Sequence, residues 1–453
     1  MEHTLWAADV AQNTLLPDAR LNQRLAQILD TYATQPTVSI PQACEDWATT
    51  KATYRFLGNP RVTDDLLLDG VCRTTALACL GRPVLLLVQD TTTLNFTTSC
   101  PVAELGPIDS QSLARGLHAH SCLALTESGE MLGLLSMQRW VRPKAGEARA
   151  PNQKESYKWI AGLDEARAAL GEAASGAPLP RLIHVMDREG DCQDVMQAIE
   201  DAGDSAIIRC VQNRLVAGPI RRAHEAVRAQ TLLGRDWVEV PRGPGEAKRT
   251  AVVEVRSLKV TLMPNHEKYP HAWPMEWSLV EVWEADPPPG IEPLHWLLWT
   301  KEPAATVEEA LEVVRKYRKR WPVEEFHLTL KSGCRIEELQ LESWEALQNA
   351  VVLYAAVATR IVRLRDKSRR EPEADAREML EEDECEVLRA RCDPRKKVKG
   401  MLTLGQAVLW IGKLGGHLNR KRDGMPGVRS LWRGLSVLDI MVQGYRLARR
   451  MRE

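Results

Sequence analysis

Apolar and polar positions alternate along several segments in the first half of the chain, a pattern that predicts β-strands. The alternating segments are 84–96, 116–126 and 131–138. Ser128-Gly129 is typical of a turn, so these segments indicate a meander. A later run, 182–186, is short and mostly apolar, as expected of a strand that is buried on both faces.

Helical periodicity dominates both ends of the chain. The first 70 residues are predicted to be mainly helical, with one amphipathic stretch at Trp47–Phe56. The C-terminal part repeats this period at Leu404–Leu414 and Ser436–Arg449. The most apolar stretch, Ala350–Ala358, predicts a buried helix.

Between Arg209 and Trp296 the pattern changes to strand-like alternation broken by Pro and Gly. The predicted strands are 237–240, 249–263 and 277–284. A further core strand is predicted at Trp296–Thr300, and Thr306-x-x-Glu309 is typical of a capping box that opens a helix. The region is therefore interpreted as a β-rich insertion into an α/β core, and a separate β-domain is the alternative.

Three acidic residues stand at informative places in this pattern. Asp90 follows the apolar run 84–89 and Asp187 the run 182–186, so both are expected at strand ends, while Glu324 lies within the segment 317–331. The ends of strands in α/β sheets are where ligands bind. Since Mg²⁺ prefers oxygen ligands, and one or two carboxylates commonly hold it, the three residues indicate a divalent-metal site.

The segment around Glu324 carries Tyr317, Arg320, Glu324, His327 and Lys331 at intervals of three and four residues, which places them on one face of a helix. Arginine and lysine on such a face suit a phosphate contact. An ordinary charged helix face has the same spacing. A proline at position 322 predicts either a kink or the start of a new helix, because it cannot donate a backbone hydrogen bond.

Composition indicates a protein of several domains. The length of 453 residues allows about two to four domains, and 44% apolar residues suffice for a sizeable core. The N-terminus has no signal-peptide pattern and the apolar runs are shorter than a membrane span requires, so we expect a cytoplasmic protein without a membrane partner. Ten scattered cysteines without a Cys-x2-Cys pair predict reduced thiols and no zinc site.

Net charge limits how nucleic acid could be bound. The chain has 60 basic and 61 acidic residues, so any binding to phosphates must be local. The local basic clusters are Arg360, Arg363 and Arg365; 367–370; 395–399; 420–422; and 446–452. Each cluster alone is typical of a solvated surface.

The order Asp90, Asp187, Glu324, together with Tyr317-x2-Arg320-x3-Glu324-x6-Lys331, resembles the signature of bacterial DDE transposases of the insertion-sequence-four type. The transposase of transposon five belongs to that family. Further matching stretches follow one another along the chain: 52–60, 90–94, 154–159, 187–191, 296–303 and 320–327.

The resemblance implies an α/β protein with an RNase H-like catalytic core, interrupted by a β-rich insertion, and with helical N-terminal and C-terminal domains. The implied domains are DNA-end recognition over residues 1–70, the catalytic core over 71–370 with its insertion at about 212–295, and dimerisation over 371–453.

The resemblance also implies cut-and-paste transposition. Asp90, Asp187 and Glu324 would hold two Mg²⁺ ions, for which Mn²⁺ could substitute, and these would promote in-line attack on a phosphodiester. The implied partners are double-stranded DNA, as inverted-repeat ends and as target, and a second copy of the chain in a synaptic homodimer. The expected place of action is the bacterial nucleoid.

Further residues receive roles from the resemblance. Tyr317, Arg320 and Lys331 would hold the 5′ phosphate, and Trp296 would receive a flipped base next to Arg209. From its pattern alone, Trp296 would be interpreted as a core residue at the start of a strand.

The N-terminal residues Lys51, Tyr54 and Arg55 could contact the DNA end, although core packing explains Tyr54 equally well. Two other functions remain: an inactive DNA-binding regulator or decayed copy, and a metal nuclease acting on RNA hybrids or junctions.

Overall fold

The computed structural model describes residues 5–44, 46–109, 113–142, 157–240, 249–395, 398–420 and 423–451. The helices are α1 (Leu5–Asn13), α2 (Ala19–Thr34), α3 (Ile40–Cys44), α4 (Trp47–Leu57), α5 (Asp64–Cys79), α6 (Tyr157–Ala174), α7 (Gln193–Ala202), α8 (Ala223–Arg228), α9 (Val307–Arg318), α10 (Trp321–Leu328), α11 (Trp344–Arg370), α12 (Glu382–Cys392), α13 (Leu404–Leu414) and α14 (Val428–Arg450). The strands are β1 (Val84–Asn95), β2 (Gly106–Pro107), β3 (Arg115–Thr126), β4 (Met131–Trp140), β5 (Arg181–Met186), β6 (Ser205–Arg209), β7 (Gly234–Val240), β8 (Arg249–Leu262), β9 (Met275–Glu284) and β10 (His295–Thr300).

These strands form one mixed sheet of ten strands. β1 pairs antiparallel with β3, which also pairs with β4, while on its other side β1 runs parallel to β5 and β5 parallel to β6. The strands predicted from alternation are all present, and the mixed α/β class is confirmed.

The strands between Arg209 and Trp296 extend this same sheet. β10 pairs antiparallel with β6 on one side and with β9 on the other, and β8 and β7 follow. These described strands therefore do not form a second sheet, as a separate β-domain would. The predicted capping box is also present, since Thr306 and Glu309 hydrogen bond to each other's backbone N–H at the start of α9.

Helix α11 lies at the centre of the helical part. The predicted stretch Ala350–Ala358 is buried throughout, which confirms the expected core helix. Tyr354 stacks on Tyr32 of α2 with ring centroids 4.5 Å apart. Asn349 donates to the carbonyl oxygens of Leu57 and Val62, so the turn between α4 and α5 is fixed to α11.

The same helix is the one described helix that is long and apolar enough to cross a membrane. Of the most apolar 18-residue stretch of this helix, 89% is buried inside the protein. Burial against other helices accounts for its composition.

The C-terminal helices α13 and α14 cross very closely. A Cβ atom at Gly415 would lie 1.9 Å from the carbonyl oxygen of Ser430, and one at Gly434 would lie 1.9 Å from that of Ile411. The two glycines therefore permit a backbone approach that no larger residue allows. Both segments predicted as helices in this region are helical.

Candidate functional site

Asp187 directly follows β5, as predicted, but Asp90 does not end its strand. β1 continues to Asn95 because β3 pairs with it along its whole length, whereas the parallel pairing with β5 ends at Val88. The prediction of a strand end at Asp90 is therefore wrong. Asp90 lies just beyond the point where β1 and β5 separate, so its carboxylate still reaches a cleft.

Arg320 joins two of the three acidic residues. Its Nη1 lies 3.0 Å from Oδ2 of Asp90, and its Nη2 lies 2.7 Å from Oε1 of Glu324. Burial disfavours the guanidinium charge, but the carboxylate of Asp90 and the hydrogen bond to Glu324 outweigh it and raise the pKa of Arg320. The guanidinium therefore occupies the position of a cation shared by two carboxylates.

The electrostatics of Asp90 and Asp187 are those of a compact acidic site. Burial raises the pKa of Asp90 to about 6; Arg320 opposes the rise, and Glu324 and Asp187 add to it. Burial also raises the pKa of Asp187, which accepts a hydrogen bond from the N–H of Glu189 at 2.8 Å. Asp187 therefore contributes to the raised pKa of Asp90, but among the described residues its carboxylate does not belong to the group of ligand atoms formed by Asp90 and Glu324.

His327 belongs to the same cluster, although the sequence did not assign it as a ligand. Ligand atoms of Asp90, Glu324 and His327 all lie within 4.8 Å of one another. Burial, with smaller contributions from Lys331 and Arg320, lowers the pKa of His327 to about 3, so the ring is neutral. Its Nε2 is buried and has no hydrogen-bond partner within the described ranges. The signal in the sequence was its position three residues after Glu324.

These residues fit a divalent cation. The carboxylates offer the hard oxygen ligands that Mg²⁺ and Mn²⁺ prefer. The neutral imidazole of His327 is compatible with Mn²⁺. The guanidinium of Arg320 already demonstrates that the position between Asp90 and Glu324 accommodates positive charge.

Aromatic residues form one wall beside the acidic cluster. Trp296, at the start of β10, is partly exposed, and its ring meets that of Tyr317 edge to face with centroids 5.9 Å apart. The guanidinium of Arg209 lies 5.9 Å from the centroid of the Trp296 ring. Trp299, by contrast, is fully buried. The structure therefore brings Arg209, Trp296 and Tyr317 together next to Arg320.

The helix that carries these residues is interrupted. α9 ends at Arg318 and α10 begins at Trp321 with the proline in its first turn, which is one of the two outcomes predicted. A π-helical turn at 329–333 then carries Lys331, whose Nζ lies 3.5 Å from a carboxylate oxygen of Glu337. Lys331 is thus tethered beside the cluster rather than bound to its carboxylates.

Buried polar residues support β1 behind Asp90. Nδ1 of His120 lies 2.8 Å from Oγ1 of Thr91, and Nε2 lies 2.9 Å from Oε1 of Gln89. The ring packs edge to face on Trp159 at 4.6 Å. Both neighbours of Asp90 are therefore held by one histidine, an arrangement that depends on strand pairing and that no local pattern reveals.

The N-terminal candidates lie on the solvent face of α4. Lys51, Tyr54 and Arg55 are all exposed, with Tyr54 at 36%. The interpretation of Tyr54 as a core residue is therefore wrong. Of the matching stretch 154–159, residues 154–156 lie outside the described residues, as do 396–397, 421–422 and 452 of the basic clusters.

One solved structure with a similar chain is a cryo-EM structure of the piggyBac transposase synaptic complex with hairpin DNA. The sequences are 11% identical and the TM-score is 0.34, over 68% of this chain and 51% of that one. The chain thus spans about half the length of that protein.

Three family models match three parts of the sequence in order, with residues 63–217 lying between the first two matches. The transposase DNA-binding family matches residues 3–62, the transposase DDE domain matches 218–360, and the transposase Tn5 dimerisation domain matches 356–453. Glu324 lies inside the matched DDE segment, whereas Asp90 and Asp187 precede it. With all three models in this order along one sequence, the chain belongs to the Tn5-like DDE transposases.

Proposed function

We propose that this protein is a cut-and-paste DNA transposase. It binds terminal inverted repeats, nicks the transposon ends, forms and resolves hairpins, and joins the 3′-hydroxyl ends to target DNA. The observation that carries the proposal is the bridge from Arg320 to Asp90 and Glu324, next to the wall formed by Trp296 and Tyr317.

The strand order supports an RNase H-like core. Three antiparallel strands, β4, β3 and β1, are followed by β5 and β6 running parallel to β1. In the proposed division, residues 71–370 form this core, with 212–295 inserted as the extension β7–β9. The helical segments 1–70 and 371–453 recognise DNA ends and dimerise, respectively.

Asp90, Asp187 and Glu324 are proposed to hold two Mg²⁺ ions, which Mn²⁺ could replace. When bound, such ions lower the pKa of the attacking water or 3′-hydroxyl and stabilise the leaving oxygen. The protein supplies the placement: Asp90 is fixed by its paired strand, and Glu324 projects from the first turn of α10. Because charge stabilisation provides most of the rate in phosphoryl transfer, loss of one carboxylate should abolish cleavage.

Arg320 has a second task in this proposal. Its five donors match phosphate oxygens as well as carboxylates, so it can turn to the 5′ phosphate once its carboxylate partners are neutralised by bound cations. Tyr317 and Lys331 would hold the same strand. The carboxylates would therefore have a positively charged partner both without metal, when Arg320 binds them, and with metal, when the cations do.

Hairpin formation requires a base to leave the stack and find an aromatic surface. Trp296 is partly exposed at the cleft, while Arg209 and Tyr317 hold its position. Trp296 is therefore proposed to receive the flipped base, with Arg209 near the hairpin phosphates. Lys51, Tyr54 and Arg55 form an exposed face of α4 that would contact the DNA end.

The proposed partners are double-stranded DNA and a second copy of the chain, acting at the bacterial nucleoid. The test is a strand-cleavage assay with DNA that carries the repeats flanking the gene, with Mg²⁺ supplied or chelated. Glu324→Gln should bind this DNA without nicking it. Glu312→Gln, at a half-exposed glutamate on α9 whose partner is Arg315, is the matched control and should cleave like the unmodified protein.

Binding without cleavage by the unmodified protein would instead assign a regulatory or decayed copy. A second comparison isolates the hairpin step: Trp296→Ala should nick normally but accumulate few hairpins, whereas Trp273→Ala, at an exposed tryptophan outside the cleft wall, should form both products. Normal hairpins from Trp296→Ala would contradict the role of the aromatic wall.

A further inference from the structure

A large cavity lies apart from the acidic cluster, between α1, α5 and α11 and the C-terminal helices α12 and α14. Its volume is about 1370 Å³, and Trp6, Arg360, Arg363 and Arg446 are among the residues that line it. Pockets for small ligands usually measure about 300 to 1,000 Å³, so this cavity has room for an extended ligand.

Apart from Asp9, the acidic residues on the cavity wall already have cationic partners. Arg446 binds Glu381 at 2.7 Å and Asp383 at 2.6 Å. Nearby, the Nζ of Lys367 lies 2.8 Å from Glu378. These pairs leave little negative charge to balance further cations.

Arg360 and Arg363 lie on the same wall, one turn apart on α11. Arg360 is 8% exposed; its guanidinium lies 5.3 Å from the ring of Trp6, and its Nη2 reaches only the carbonyl oxygen of Met379, at 3.5 Å. The described ranges contain no carboxylate at ion-pair distance from either arginine. The sequence pattern indicated a solvated basic cluster here, and that interpretation is wrong for Arg360 and for Arg365, which is 2% exposed.

Arg360 is buried and Arg363 half-buried, and removing two neighbouring guanidinium groups from water without an ion pair is unfavourable. Glu384 is close enough for the charge of Arg360 to oppose the rise in its pKa, but the two form no ion pair within the described ranges. Burial lowers the pKa of Arg363; Glu130 and Cys79 oppose this effect, and the charge of Arg360 adds a smaller contribution in the direction of burial. An anion bound in the cavity would offset this unfavourable burial of charge. Phosphate matches best, because its oxygens accept paired N–H donors from each arginine.

We propose that this cavity is a second phosphate-binding site, anchored by Arg360 and Arg363. Its ligand carries several phosphate groups, either as a stretch of nucleic-acid backbone or as a free polyphosphate compound. The site does not depend on the acidic cluster, so it stands whether or not the protein cleaves DNA.

The test measures binding to the full-length protein in EDTA, where a metal-dependent site contributes nothing. One arm uses inorganic tripolyphosphate in calorimetry, and the other uses a fluorescent DNA duplex that lacks the flanking repeats. Arg363→Gln should weaken binding about tenfold or more in at least one arm, as expected for lost charge-assisted hydrogen bonds. Arg370→Gln removes the same charge from an exposed position on the same helix and should change binding little.

The arms identify the source of the phosphate. Weakened tripolyphosphate binding alone supports a free polyphosphate ligand, and weakened duplex binding supports the nucleic-acid backbone. Equal binding by the unmodified protein and Arg363→Gln in both arms would overturn the proposal, as would an equal loss in Arg370→Gln.

A stability measurement guards against misfolding of the variant. In phosphate-free buffer Arg363→Gln should unfold at the same or a higher temperature than the unmodified protein, since burial disfavours the charge that the variant loses. The supporting ligand should then raise the unfolding temperature of the unmodified protein but not that of the variant. Arg363→Lys, which retains the charge but not the planar fork, should bind with intermediate affinity.

Discussion

The raised pKa of Asp90 predicts that its ionised carboxylate destabilises the metal-free fold. Burial raises its pKa from 3.8 to about 6, even though the guanidinium of Arg320 lies 3.0 Å away. Since one pKa unit corresponds to about 1.4 kcal/mol, this rise corresponds to a penalty of about 3 kcal/mol. The folded state holds the proton of Asp90 more tightly than the unfolded state does. The resulting contribution to the free energy of unfolding is therefore fully present below pH 3.8 and is lost as the pH rises through about 6.

Asp90→Asn tests this reasoning, because asparagine has the shape of the protonated acid. In EDTA at about pH 7.5, urea denaturation should give the variant a free energy of unfolding higher by up to about 3 kcal/mol. At about pH 4 the difference should shrink towards zero. Added Mg²⁺ should stabilise the unmodified protein but not the variant.

The matched control is Asp201→Asn, at an exposed carboxylate on α7. It should show no comparable difference between the two pH values. A less stable Asp90→Asn at about pH 7.5 would refute the reasoning, because it would mean that the pair with Arg320 contributes more than the burial of Asp90 costs.

Three other substitutions test the packing by urea denaturation. Glu302→Gln should cost about 3 kcal/mol, because it removes the carboxylate that lies 2.9 Å from the buried Nζ of Lys316, and a loss below about 1 kcal/mol would contradict this. Gly133→Ala should cost about 1 to 3 kcal/mol, since φ is +150° and the new Cβ would lie 2.3 Å from Oγ1 of Thr75; an unchanged midpoint would contradict it. Tyr32→Phe should be neutral or stabilising, because the buried hydroxyl has no partner within the described ranges, whereas Tyr32→Ala should cost about 3 to 5 kcal/mol.

Local patterns predicted the elements well because alternation and helical spacing are properties of short segments. The strands from Val84 to Thr300 and the helix at Leu404–Leu414 appear where the sequence indicated them. The pairing of the strands was harder to predict from the sequence. That β1 passes Asp90 and continues to Asn95 depends on β3, more than twenty residues later in the chain, which no local pattern specifies.

The candidate site shows the same division. The spacing of Tyr317, Arg320 and Glu324 predicted that these side chains share a face, and the structure places them together. The spacing could not reveal that His327 is buried and neutral, or that Arg360 is desolvated in a cavity. Both properties depend on which other elements cover α10 and α11. A run of charged residues in the sequence does not show whether its face of the helix is buried or solvated.

Arg320 explains how an acidic site can exist in a metal-free protein. Without a cation between them, Asp90 and Glu324 would face each other in a partly buried cleft, and repulsion would raise the pKa of Asp90 beyond about 6. The guanidinium supplies that cation from within the same helical segment, and a metal ion must compete with it. In the proposed function, the site is thus held in a binding geometry before a metal arrives, at the cost of some metal affinity. Arg320 would then turn to a phosphate only when the carboxylates acquire another partner.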